Sequence, residues 1–188
     1  MKTLIFFGSP RKQGDTRALL DRVLLSLQGE YLLVDAYRDD IRPCVDCRMC
    51  REKSGCVIRD DMQKVYDYMV DCDNVLIAAP LYFSEVPGQL LNVFSRLQCL
   101  YSARRFRKEK LCISEKKGGV ILVGGGDGGP EKALNTCDGI FRHYMNVKTQ
   151  FAPVMSLKTD ASPAACDMQA LENCDKLAAF FNEQKEGM

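Results

Sequence analysis

The sequence predicts an α/β domain in which a parallel sheet of five strands lies between two layers of helices. Three observations predict it. Short apolar runs that do not alternate recur five times, as buried parallel strands do. Between them stand stretches with apolar residues at helical spacing. Strand and helix then alternate along the whole chain, with no repeat and no low-complexity tract.

The elements follow in order. Lys2 to Gly8 carries Leu-Ile-Phe-Phe and ends in Gly-Ser-Pro, a first strand. Asp15 to Leu27 places Ala18, Leu19, Val23, Leu24 and Leu27 on one helical face. Glu30 to Ala36 is the second strand. A polar, cysteine-rich stretch from Tyr37 to Arg59 interrupts the alternation as a loop insertion. Asp60 or Asp61 can cap the short helix bearing Met62, Val65, Tyr66 and Met69. Asn74 to Ala79 is the third strand, and Val86 to Tyr101 one helix with Pro87 in its first turn. A basic segment, Arg104 to Lys117, leads to the fourth strand at Gly119 to Val123. A helix over Pro130 to Tyr144, a fifth strand over Val147 to Val154 and a closing helix over Asp167 to Glu183 complete the fold.

At 188 residues the chain is expected to be a single domain with an ordinary apolar core. A net charge of +1 gives no global field to recruit nucleic acid or an acidic membrane. No apolar run approaches the length of a membrane span, and the first residues lack a secretory signal's apolar run and cleavage site. A cytoplasmic location is expected, where thiols stay reduced. Ten cysteines there point to metal or redox chemistry rather than to disulfides. Six of them, Cys72, Cys99, Cys112, Cys137, Cys166 and Cys174, are scattered singly and read as small buried hydrophobes.

Open parallel sheets bind ligands beyond the carboxyl ends of their strands. Three unusual loops fall there. Gly8-Ser-Pro-Arg-Lys-Gln-Gly-Asp-Thr16 joins a strand to a helix. Ser9 and Thr16 offer hydroxyls, Arg11 a cationic fork, and the helix start its free amides, a combination suited to an anion. Its glycine spacing matches neither a Walker nor a Rossmann motif. Pro80-Leu-Tyr-Phe-Ser84 sets aromatics at a strand exit, which suits a flat heteroaromatic ring. Gly124 to Gly129 holds five glycines in six positions, which permits close approach of a ligand. Each loop alone is also compatible with a plain polar turn, a tucked apolar loop or a flexible linker. Together, at one edge, they fit a ring with a phosphate tail.

The residues Gly8-Ser-Pro-Arg, Gly14-Asp-Thr16, Cys56-Val-Ile-Arg-Asp-Asp-Met62, Pro80-Leu-Tyr-Phe-Ser84 and Gly88-Gln-Leu90 resemble those of the flavodoxin-like NAD(P)H-dependent FMN reductase and iron–sulfur flavoprotein family. The resemblance spans Met1 to Gly129. It implies a flavodoxin-like three-layer α/β/α fold with a five-stranded parallel sheet in the order 2-1-3-4-5. It implies FMN with its phosphate on Ser9, Arg11, Gln13, Gly14, Asp15 and Thr16. The flavin ring would lie against Pro80, Leu81, Tyr82, Phe83 and Ser84. The other side of the ring would be lined by Gly124, Gly125, Gly126, Asp127 and Gly128. A homodimer or homotetramer with FMN near the interface is usual in the family. This chain departs from the pattern at Asp15, where relatives carry asparagine. A carboxylate beside phosphate is repulsive, so Asp15 offers its amide alone or caps the helix. Leu91 and Ser95 before Arg96 also replace the charged residues that many relatives carry.

Cys44, Cys47, Cys50 and Cys56 crowd into thirteen positions. Four closely spaced thiolates can wrap one [4Fe–4S] cluster, and the spacing is similar to the cluster motif of iron–sulfur flavoproteins. Structural zinc and free thiols stay open as alternatives. Arg48, Arg51, Lys53 and Arg59 would offset the charge of a thiolate-bound cluster. His143, the single histidine, lies far off and reads as a surface or core residue.

Three functions follow. The first is an electron-transfer flavoprotein taking electrons from a ferredoxin-like donor and passing them through FMN to a quinone, an oxygen species or a flavin. The second is a cluster-free reductase using NAD(P)H. The third is a non-enzymatic zinc or thiol module, for which Arg104 to Lys110 is either a docking surface or a solvated connection. No side chain is assigned as an acid–base catalyst, because flavin N5 carries the chemistry.

Overall fold

The computed structural model describes residues 1–183 and forms one parallel sheet between two helical layers. Strand β1 (Lys2–Phe7) lies inside it, paired in parallel with β2 (Glu30–Asp35) on one side and β3 (Asn74–Pro80) on the other. Beyond β3 comes β4 (Lys116–Val123), giving the order 2-1-3-4-5. The predicted fifth strand is broken in two. β5 (Val147–Gln150) pairs with the start of β4, and β6 (Val154–Ser156) with its end. Pro153 lies in the gap, where a residue without an amide hydrogen cannot join the ladder.

Successive residues of β1 face opposite layers, and Thr3 to Phe7 are all buried. Leu4 and Phe6 join a core with α2 (Met62–Asp71), α3 (Gly88–Ser95) and α5 (Glu131–Ile140), where Phe6 meets Phe94 edge-on at 5.3 Å. Ile5 and Phe7 pack with α1 (Asp15–Ser26) and α6 (Met168–Asn182).

Two other boundaries shift from the sequence reading. The helix predicted over Val86 to Tyr101 is two: α3 stops at Ser95, and α4 (Gln98–Arg105) begins after a tight turn. There the Arg96 and Leu97 amides reach back only three residues, to Val93 and Phe94. The Tyr66 hydroxyl donates to the Arg96 carbonyl at 2.8 Å, giving it a partner outside the helix. β4 begins at Lys116, so the end of the basic segment is strand rather than connection. α5 widens into a π turn over Phe141–Met145 and stops at Asn146, which takes a left-handed φ of 56°.

Candidate functional site

The ends of β1, β3 and β4 enclose a cleft of about 190 Å³. Its anion-suited side is the loop after β1. Ser9 and Thr16 line it almost fully buried, and Arg11 beside them is exposed. Gly14 is the N-cap of α1, and no side chain caps the helix. The first amides of α1 therefore stay available to an anion. Asp15 does not cap α1 either; its carboxylate accepts the Ala164 amide at 2.8 Å, tying the loop before α6 to this edge. Gln13 lies outside the cleft, beside Lys12 and Arg17 in a second surface hollow.

The other side of the cleft is Pro80, Leu81 and Tyr82. The Leu81 amide donates to the Val123 carbonyl at 2.7 Å, so the sheet ladder continues to the cleft's rim. Tyr82 and Glu85 then exchange backbone hydrogen bonds of 2.8 and 3.0 Å around a two-residue turn. Phe83 and Ser84 both have positive φ, 54° and 63°, the geometry that matches strand twist in such hairpins but strains a non-glycine residue. Phe83, at the tip, is fully exposed. Ser84 turns from the cleft towards Gly129 and takes the Ala133 amide on its carbonyl.

Of the glycine loop, Gly125 lines the cleft. A Cβ there would meet the Asp160 carboxylate at 2.6 Å, so the group that comes close to this glycine is the chain's own Asp160. Gly124 is filled from behind by Leu157 and Leu81, while Gly126 and Gly128 face open space and Asp127 is exposed. Thr159 and Asp160, absent from the sequence reading, line the cleft and hang on the glycine loop through the Gly124 and Gly125 carbonyls. Arg38 also escaped notice; it donates to the Pro10 carbonyl at 2.7 Å and pairs with Asp35, bracing the anion loop. Only contact across the fold reveals these three.

The four clustered cysteines line one cavity of about 360 Å³, with Cys47 exposed and the others half-buried. The loop that carries them has little regular structure beyond a 3₁₀ turn over Met49–Arg51, and side chains hold it in place. The Cys44 amide donates to Ser95 Oγ at 3.0 Å, and Cys50 Sγ to Ser102 Oγ at 3.3 Å. Arg107 donates to the Cys50 carbonyl and pairs with Glu109, so part of the basic segment braces this cavity. Asp60 and Arg96 form an ion pair at 2.5 Å with both side chains fully buried. Burial pushes the Asp60 carboxyl up, but Arg96 and the Arg42 and Met62 amides outweigh it and hold it below the ordinary value.

The scattered cysteines divide. Cys72, Cys137 and Cys174 are buried core thiols, while Cys112 and Cys166 are exposed rather than packed. Cys99 is buried yet lines the four-cysteine cavity as a fifth thiol. Burial, partly offset by Tyr66, and the nearness of Cys56 and Cys50 push it up to about 11, so it stays protonated near neutrality. His143 is exposed on the π turn, away from both sites.

The donor set fits a thiolate-bound metal group in kind: four cysteines line one cavity, Arg96 lines it with them, and the buried Arg96 Nε has no hydrogen-bond partner among the described residues. As they stand, no three His, Cys, Asp or Glu side chains among those residues are gathered closely enough to hold a metal ion. No helix among them is long and apolar enough to cross a membrane.

Known proteins share the sequence pattern and the fold of this chain. The sequence pattern of the NADPH-dependent FMN reductase family matches residues 1–161. An iron–sulfur flavoprotein of Methanosarcina thermophila is 31% identical over 140 residues, which cover 72% of this chain and 70% of that protein. Another, from Methanocaldococcus jannaschii, is 33% identical over 146 residues, 75% of this chain and 71% of that one. Among solved structures, an NAD(P)H:quinone oxidoreductase from Methanothermobacter marburgensis superposes with a TM-score of 0.73 at 16% identity, covering 99% of both chains.

Proposed function

The chain belongs to the family of NADPH-dependent FMN reductases and iron–sulfur flavoproteins and is an FMN-dependent oxidoreductase, and from that premise we propose that it is an electron-transfer protein with two redox sites. Cys44, Cys47, Cys50 and Cys56 would hold a [4Fe–4S] cluster that receives electrons from a ferredoxin-like donor. FMN in the sheet-edge cleft would pass them to a small acceptor: a quinone, an oxygen species or a free flavin. The carrying observation is the pairing of an anion-and-ring cleft with a cavity that all four loop thiols line.

The residues divide the work. Ser9, Thr16, Arg11 and the uncapped amides of α1 would bind the phosphate. With its carboxylate engaged by Ala164, Asp15 would offer only its amide. Pro80, Leu81 and Tyr82 would seat the ring, and Gly125 would let the opposite backbone come close. FMN supplies hydride and electron transfer that no side chain here provides. We include a homodimer or homotetramer in this reading, on the exposed Tyr82 and Phe83 beside the cleft.

The second reading, a cluster-free reductase with NAD(P)H as donor, is favoured by the lack of closely gathered metal ligands among the described residues. The test is the visible spectrum of protein purified without oxygen, with flavin and iron assayed on the same sample. Flavin bands over a broad iron–sulfur shoulder, with about four irons per chain, support the first reading. Flavin without iron supports the second and makes NAD(P)H oxidation the next assay. Protein that binds neither overturns both.

A further inference from the structure

One guanidinium closes the cysteine loop. Arg96 Nη1 donates to Asp60 Oδ2 at 2.5 Å and to the Arg42 carbonyl at 2.8 Å. Its Nη2 donates to the Ile58 carbonyl at 3.2 Å. Arg42 stands just before Cys44 and Ile58 just after Cys56, so Arg96 ties together the two ends of the segment carrying all four thiols. Asp60 completes the closure by accepting the Arg42 amide at 3.1 Å. The break between α3 and α4 is what delivers Arg96 to this position.

One donor is left over. Arg96 lines the cavity, and its Nε is buried without a hydrogen-bond partner among the described residues. Leaving a buried donor unmatched forfeits its hydration with nothing in return, and arginine cannot shed the proton. Native structures rarely tolerate such a group without a reason, so an acceptor that enters the cavity is the natural partner. Four thiols line the same space, which makes that acceptor an anionic sulfur.

We propose that Arg96 is the positioning residue of the four-cysteine cavity, clamping the loop ends through its fork and donating its Nε–H to a sulfur of the thiolate-bound iron–sulfur group. The donor half rests on the cluster reading above; the clamp half does not. Hydrogen bonds to cluster sulfurs stabilise the added electron and raise the potential. Arg96→Lys keeps the charge but has neither the fork for two carbonyls nor an Nε–H at that depth.

Two measurements on the full chain test the two halves. In metal-free protein, alkylation of each cysteine by iodoacetamide is followed by mass spectrometry. Arg96→Lys should speed reaction at Cys44 and Cys56 by about fivefold through local opening, with Cys137 and Cys174 unchanged as internal controls. Equal rates overturn the clamp. Should that variant fail to fold, the isosteric Asp60→Asn loosens the same closure and gives the same readout. In iron-loaded protein, Arg96→Lys should lower the cluster midpoint potential by a tenfold shift in the reduction equilibrium, about 59 mV for one electron. An unchanged potential at equal iron content overturns the donor half. Wild-type protein that takes up no iron on anaerobic reconstitution overturns the cluster reading and the donor half together, and alkylation then still decides the clamp.

Discussion

The sheet-edge cleft and the four-cysteine cavity are built by opposite means. The cleft rests mainly on backbone: most of its wall is the first residues past β1, β3 and β4, joined by the start of α1 and by Thr159 and Asp160. It is held by ladder bonds such as Leu81 to Val123 and Gly124 to Ser156. The cavity is side chains: Ser95, Ser102, Arg107, Arg96 and Asp60 pin a loop with little hydrogen bonding of its own. A site made of sheet backbone comes with the fold. A site made of clamps can be lost while the fold survives, and that asymmetry can be broken by experiment.

The largest expected effect is at Asp60. Its removal leaves Arg96 an uncompensated buried charge, a cost of about 3–5 kcal/mol that the chain can relieve by opening the loop to water. In Asp60→Ala we expect iron to be lost and the four loop thiols to label rapidly, while flavin content stays near wild type. Flavin lost in proportion to iron would show that the two regions are one cooperative unit. The converse break is Thr16→Val. Deleting a nearly buried hydroxyl that would face phosphate should weaken FMN binding by about 1.5–3 kcal/mol, read by flavin titration, with iron content unchanged.

A smaller effect appears in acid. The Asp60 carboxyl lies below its ordinary value of 3.8. A carboxylate so held adds stability above its unfolded value and loses it as pH falls through the folded one. Urea melts of metal-free protein should therefore weaken below about pH 4. Asp60→Asn should flatten that part of the decline. A variant with the same acid profile would remove Asp60 from the account of the loop.

The same contrast decides what could be read in advance. Non-alternating runs such as Leu-Ile-Phe-Phe announce buried strands, and Ser9, Thr16 and Gly125 sit where any parallel sheet places its loops, so the cleft was visible in local pattern. The broken fifth strand was legible only in part, since Pro153 was present but its edge position was not. Thr159 and Asp160 reach the cleft, and Arg38 braces its anion loop, through long-range contacts that no local spacing encodes. The cavity shows the limit most sharply. The cysteines advertise themselves by spacing, while the buried Arg96–Asp60 pair that orders them is separated by 36 positions. Arginine in an apparently continuous helix reads as a solvated residue until the helix is seen to break beneath it.

The smallest effect tests whether the cleft's rim is strained for function. Phe83 holds φ at 54° with its ring fully exposed, so it gains no burial to offset a left-handed backbone. That conformation costs a non-glycine residue about 1–2 kcal/mol, of which glycine returns part in unfolded-chain entropy. Phe83→Gly should therefore raise stability by about 0.5–1 kcal/mol in denaturant melts. If the exposed ring serves an acceptor or a second copy of the chain, the stabilised variant will reduce a quinone more slowly or dissociate more readily. A variant that gains stability and loses neither would leave the turn strained for no purpose at this site. One that loses stability would mean that Phe83 is covered in the assembled protein, and the rim would then join the cavity as a region whose shape depends on side chains.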